Sequence, residues 1–151
     1  MAVDDGPVEA LTLDTRDEIG LVELAANALR LVRYDGKIVG FNVAGFDLRV
    51  LARRALLLGV PWPNLELGRY RYDKRIVDLQ AVLSFGDGPQ KGKTLSWYMR
   101  LFSLDDGAED TVRGADIGAL VKAGAWDAVA GHVRCDVERT RALARRLKIV
   151  A

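Results

Sequence analysis

The chain has 151 residues, 50% of them apolar, with 22 basic against 21 acidic side chains and a formal net charge of +1. That length and composition suit one compact domain with a sizeable core and exclude a chain disordered along its length. Bulk charge does not announce a nucleic-acid binder, so any attraction for phosphate has to come from how the charges are distributed.

Cys135 is the single cysteine, so no intramolecular disulfide can form, and no cysteine/histidine cluster points to zinc. No apolar stretch approaches the roughly 20 residues of a membrane span, and the first residues lack the basic-then-apolar pattern of a signal peptide. The expectation is one domain over residues 1–151, cytoplasmic and without a membrane partner.

Residues 8–13 alternate in part and predict a strand. Thr15, three residues ahead of Glu18 and an apolar run, has the form of a capping box. The helix it opens carries Ile19, Val22, Ala26, Leu29 and Val32 at helical spacing. Residues 37–42 read as a strand, Val43-Ala44-Gly45 as a turn, and residues 46–58 as a helix closed by Gly59. Pro61 and Pro63 stop that helix, and an arginine-rich connection leads to Lys74. Residues 76–79 form a short strand running into a helix that ends at Phe85.

After a glycine-rich loop over residues 86–92, Thr94 caps a helix bearing Leu95, Tyr98, Met99 and Phe102. A loop over residues 105–114 precedes a short helix (residues 117–123) and a long one (residue 126 to about 147). This order describes an α/β fold, a small mixed sheet flanked by helices.

Two places carry candidate chemistry. Asp47 stands where a strand meets a helix, a common ligand position in open α/β sheets. Counted with Leu51, Ala55 and Leu58, its carboxylate falls on the core-facing stripe. The plainer reading is an acid favoured by the helix dipole, worth roughly 0.3–1 kcal/mol, with Phe46 a core residue and Asn42 a turn former.

The long helix carries a seam of Val129, Val133, Asp136, Thr140, Leu143 and Leu147. A buried ionised carboxylate is costly, so Asp136 there needs a base, a proton or a cation. His132, the chain's one histidine, stands a turn earlier. Neutral imidazole can act as a general base near pH 7, or His132 is an ordinary helix-flank residue. Arg134, Arg139, Arg141, Arg145, Arg146 and Lys148 on this helix, with Arg49, Arg53 and Arg54 after Asp47, either steer a polyanion or form a solvated face.

Asn42-Val-Ala-Gly-Phe46-Asp47 resembles the second motif of the DEDD superfamily of 3′–5′ exonucleases (DnaQ-like), Asn-x-x-x-(Phe/Tyr)-Asp after a strand. His132-Val-Arg-Cys-Asp136 resembles the third, a Tyr or His ahead of an Asp on the last helix. Ile76-Val-Asp-Leu79, Thr94-Leu95-Ser96 and residues 114–124 extend the similarity over roughly residues 8–148. It is nearest to the predicted exonucleases related to the family B DNA polymerase proofreading domain.

The resemblance implies a ribonuclease-H-like fold and hydrolysis of phosphodiester bonds at the 3′ end of single-stranded DNA or RNA. It implies two Mg²⁺ or Mn²⁺ ions, with Asp47 and Asp136 as ligands and His132 positioning or deprotonating water. Asn42, Phe46 and Thr140 become the expected contacts to the terminal nucleotide.

Two departures stand out. His132 has the four-residue spacing of the tyrosine-type members. The first motif, Asp-x-Glu on an opening strand, is not found: Asp14-Thr15-Arg16 has arginine where the glutamate would stand. On this alignment the domain is shortened at its start, the first strand and its carboxylates would lie upstream of Met1, and ion binding would be weakened. A second copy or a complementary chain would then supply the missing strand. The alternative function is a non-catalytic domain that binds nucleic acid or a partner and keeps the fold. A helical interaction module without strands is a third reading.

Overall fold

Asp17 begins the first helix by turning its carboxylate onto the Gly20 N–H at 2.7 Å, satisfying one of the donors a helix start leaves open. In this computed structural model, which describes residues 6–12, 17–67, 73–85, 93–104 and 112–150, helix α1 then runs over Glu18–Leu31. The capping box expected from Thr15 and Glu18 is corrected: Asp17 is the cap, and Thr15 lies outside the described residues. Glu18 instead receives Arg54 of helix α2 (Leu48–Leu58) at 2.5 and 2.6 Å. The hydrogen bonds from Arg54 hold the Glu18 carboxyl below its usual range.

Helix α2 ends at Gly59, whose φ of +69° closes it and lets the Val60 N–H reach the Ala55 carbonyl at 2.9 Å. Helices α1 and α2 pack through Val22, Ala55 and Val60, with Leu58 and Trp62 beside them.

Strands β1 (Ile38–Gly40) and β2 (Ile76–Asp78) pair in parallel, Ile38 opposite Ile76 and Gly40 opposite Asp78. Asp73 and Arg75 brace the entry to β2 with side-chain contacts of 2.9 and 2.7 Å. Helix α3 (Leu79–Leu83) follows directly, with Leu79 fully buried.

The sheet of the described residues is therefore small and parallel, not mixed. Residues 8–12 form no strand. Their alternation is broken by Leu11, a large apolar residue out of parity that lies 43% exposed. An incomplete period does not bury one face of a strand.

The chain divides into two compact units, Asp17–Lys91 and Met1–Arg16 with Gly92–Ala151. The elements above make up the first. In the second, Thr94 caps helix α4 (Leu95–Leu101) by accepting the Trp97 N–H, as its place in the sequence predicts. Helices α4 and α5 (Ile117–Lys122) pack on α6 (Trp126–Arg146). Tyr98, Met99, Val129, Ala130, Leu143 and Ala144 are buried in this unit. Arg141 of α6 donates to the Gly6 carbonyl at 2.7 Å, tying the early segment to the helix. Among the described residues no helix is long and apolar enough to cross a membrane. The loop expected at residues 86–92 lies outside the described residues, as do residues 105–111 of the second loop.

Candidate functional site

At the end of β1 the chain must turn sharply, and three residue choices allow it. A Cβ on Gly40 would stand 2.5 Å from the Cβ of Val43, so only glycine permits this close return. Asn42 takes φ +58° and ψ +21°, a left-handed conformation that asparagine tolerates better than most residues. A side chain on Gly45 would collide with the Asn42 amide oxygen, which lies across the turn. A π-helical turn over Val43–Asp47 follows and merges with α2. The expected helix over residues 46–58 thus begins as α-helix only at Leu48.

The turn rests on Asp78. Its carboxylate is 8% exposed and accepts three backbone N–H groups: Asn42 at 2.9 Å, Ala44 at 3.1 Å and Gln80 at 3.0 Å. Burying a carboxylate is costly unless donors replace its water, and these donors do so. From the other side Arg49 donates its Nε–H to the Ala44 carbonyl at 3.0 Å. Phe46 donates its N–H to the Asn42 carbonyl at 2.9 Å.

This scaffold carries Phe46 and Asp47 outward. Phe46 is 60% exposed and Asp47 is exposed, which corrects both the core reading of Phe46 and the core-facing stripe of Asp47. The reason is angular. Leu48 precedes the fully buried Ala55 by seven residues, nearly two whole turns, and it takes the core position. Asp47 precedes Ala55 by eight, which rotates it off that face.

The second cluster lies on α6. His132 Nε2 stands 3.5 Å from Asp136 Oδ2, one turn on. The histidine side chain is 13% exposed and the aspartate 47%. Asp136 was expected to be a buried carboxylate in an apolar seam, and it is half exposed. Val133 in the same seam is 39% exposed, whereas Val129 and Leu143 near the helix ends are buried. The seam is closed at its ends and open at its middle, where the His–Asp pair sits. Thr140 follows one turn later and is partly buried.

Asn42, Phe46 and Asp47 belong to the Asp17–Lys91 unit; His132, Asp136 and Thr140 belong to the other. Asp47 and Asp136 offer hard oxygen donors of the kind Mg²⁺ and Mn²⁺ take. Among the described residues no three His, Cys, Asp or Glu side chains gather into a group that could hold a metal ion. Each carboxylate taken by itself is one such donor.

The basic residues do not form one uniform face. Arg139 is buried, Arg141 is bonded to Gly6, Arg49 to Ala44, and Arg54 to Glu18. Arg53, Arg134, Arg145, Arg146 and Lys148 are exposed. By sequence alone Asp78 stands at a strand–helix junction with no assigned role. An acid within Ile76-Val77-Asp78-Leu79, an otherwise apolar strand leading into a helix, was the available signal.

A family model described as a predicted 3′–5′ exonuclease related to the exonuclease domain of PolB matches residues 4–150. The chain belongs to that family. Searches of curated proteins and of solved structures returned no match. Both clusters just described lie within the matched residues. The elements that carry them, a turn after a parallel strand and the middle of the last helix, are compatible with an α/β exonuclease fold.

Proposed function

We propose that this domain hydrolyses phosphodiester bonds at the 3′ end of single-stranded DNA or RNA, as a DEDD-type nuclease on a ribonuclease-H-like fold. The observation that carries the reading is the exposed pair at the start of α2. Consecutive residues Phe46 and Asp47 are both exposed, on a turn whose Ala44 N–H and carbonyl are both hydrogen-bonded to side chains. The ring suits stacking on a terminal base, and the carboxylate suits a divalent cation.

In this reading Asp47 and Asp136 are the chain's own ligands to Mg²⁺ or Mn²⁺. When bound, these ions would activate water and stabilise the leaving 3′ oxygen. His132, whose Nε2 stands 3.5 Å from Asp136, orients or deprotonates the attacking water. Asn42, Phe46 and Thr140 contact the terminal nucleotide. The reading includes a reducing cytoplasmic setting, in keeping with a sequence that holds a single cysteine. It also includes pairing with a second copy or with a complementary chain.

The test is direct. With Mn²⁺ and a 5′-labelled single strand, the purified chain should shorten the substrate from its 3′ end. Asp47→Ala and Asp136→Ala should each slow this by more than roughly 100-fold, beyond the range of outer-shell changes. A second reading is a non-catalytic nucleic-acid-binding domain of the same family. The sequence contains no recognisable Asp-x-Glu first motif, which favours it. Strand binding that survives Asp136→Ala, with no shortening by the unmutated chain, would establish that reading.

A further inference from the structure

We infer that Asp78 is the positioning residue for Asp47, resting on the exonuclease reading above for what Asp47 then does. Asp78 ends β2 directly opposite Gly40, the last residue of β1. Its carboxylate is thus at the point where the neighbouring strand turns into residues 42–47. The two oxygens divide the work. Oδ1 takes the N–H of Asn42 at 2.9 Å and of Gln80 at 3.0 Å, while Oδ2 takes the N–H of Ala44 at 3.1 Å. One side chain therefore ties the start of α3 to both limbs of the turn after β1.

That turn needs a clamp. Asn42 sits in a left-handed conformation that costs free energy for any residue with a side chain. The π-helical turn after it is held at Leu48 N–H to Val43 C=O and Phe46 N–H to Asn42 C=O, bonds that fix its inside but not its place on the sheet. The bonds from Asn42 and Ala44 to Asp78 supply that attachment. Three residues after Ala44 the chain reaches Asp47. The direction in which the Asp47 carboxylate leaves the turn follows from where Ala44 is pinned.

The aspartate type is required at residue 78. Asparagine has one acceptor oxygen and one NH₂ donor, so it cannot receive all three N–H groups. With its oxygen kept on Asn42 and Gln80, its NH₂ faces the Ala44 N–H, donor against donor. The limb leading to Asp47 is then the one released.

The experiment joins amide exchange with metal titration. In Asp78→Asn, hydrogen exchange at the Ala44 amide should accelerate by about tenfold or more, the scale of one lost hydrogen bond. Amides in the middle of α2 should be unchanged. In the unmutated chain, a through-hydrogen-bond coupling from the Asp78 carboxylate carbon to the Ala44 amide nitrogen should be present. This measurement stands even if the variant does not fold. Unchanged exchange at Ala44, or absence of that coupling, overturns the inference.

With a nuclease-active parent, Asp78→Asn should raise the half-saturating Mn²⁺ concentration by roughly 10–100-fold, as loss of a group that orients a ligand does. A lower rate with unchanged half-saturation would mean a structural role only and overturns the positioning claim. A parent that releases no nucleotides defeats the exonuclease reading alone, and the amide measurements still decide where Asp78 holds the turn.

Discussion

The two motif clusters are held in place by different means. Residues 42–47 form an irregular turn whose shape depends on a left-handed Asn42, two glycines without room for a side chain, and a buried carboxylate from another strand. His132 and Asp136 need none of that. Helix periodicity alone sets them one turn apart, and the packing of α6 decides how much of each is exposed. A turn built from long-range hydrogen bonds is sensitive to residues distant in sequence. A pair on a regular helix is sensitive mainly to its own substitution.

The sharpest way to test that contrast is His132→Gln, which removes the imidazole and leaves the helix. On the exonuclease reading the turnover rate should fall by roughly 10²–10⁴-fold, the usual contribution of a general base, with little change in KM. A rate near the parent's would remove His132 from the chemistry.

Next in size is Leu79→Ala, at a fully buried residue directly after Asp78. It should cost about 2–5 kcal/mol of stability in urea unfolding, the range for truncating a buried leucine. Nuclease activity should suffer along with stability, because the same change undermines the support of residues 42–47. Leu143→Ala in α6 should destabilise by a similar amount and leave the amides of residues 42–44 unchanged. Equal disturbance of those amides by both variants would refute the distinction between the clusters.

Phe46→Ala comes third. Loss of one stacked base should weaken substrate binding by about 1–3 kcal/mol, seen as a raised KM. Because the ring is 60% exposed, the melting temperature should hardly move. A large drop in melting temperature would return Phe46 to the core.

The smallest effect concerns pH. Hydrogen bonds from Arg75 hold the Asp73 carboxyl down at about 2 from an ordinary value of 3.8. Across that interval the unfolded chain binds the proton more readily than the folded one. This contribution to stability is therefore present above about pH 4 and is lost as pH falls towards 2. Acid unfolding of Asp73→Asn should lack this segment of the curve, and an identical acid limb would count against the brace at the entry to β2.

Much of the architecture was legible in order. The helices follow from apolar spacing, and the Thr94 cap and the Gly59 stop follow from local chemistry that the structure repeats. The one-turn separation of His132 and Asp136 was also legible, because helical spacing needs no tertiary information. The errors share one cause. The α1 cap, the exposure of Phe46 and Asp47, the half-open seam at Asp136 and the unformed strand at residues 8–12 all depend on which face meets another element.

Sequence by itself determined that residues 42–47 leave a strand for a helix and that His132 and Asp136 share a helical face. Periodicity and turn chemistry are properties of neighbouring residues. Only the tertiary structure decided that Asp47 faces outward and that Asp78 holds the turn beneath it. Asp78 and Ala44 are far apart along the chain, and only the parallel pairing of β1 with β2 brings their hydrogen-bonding groups together.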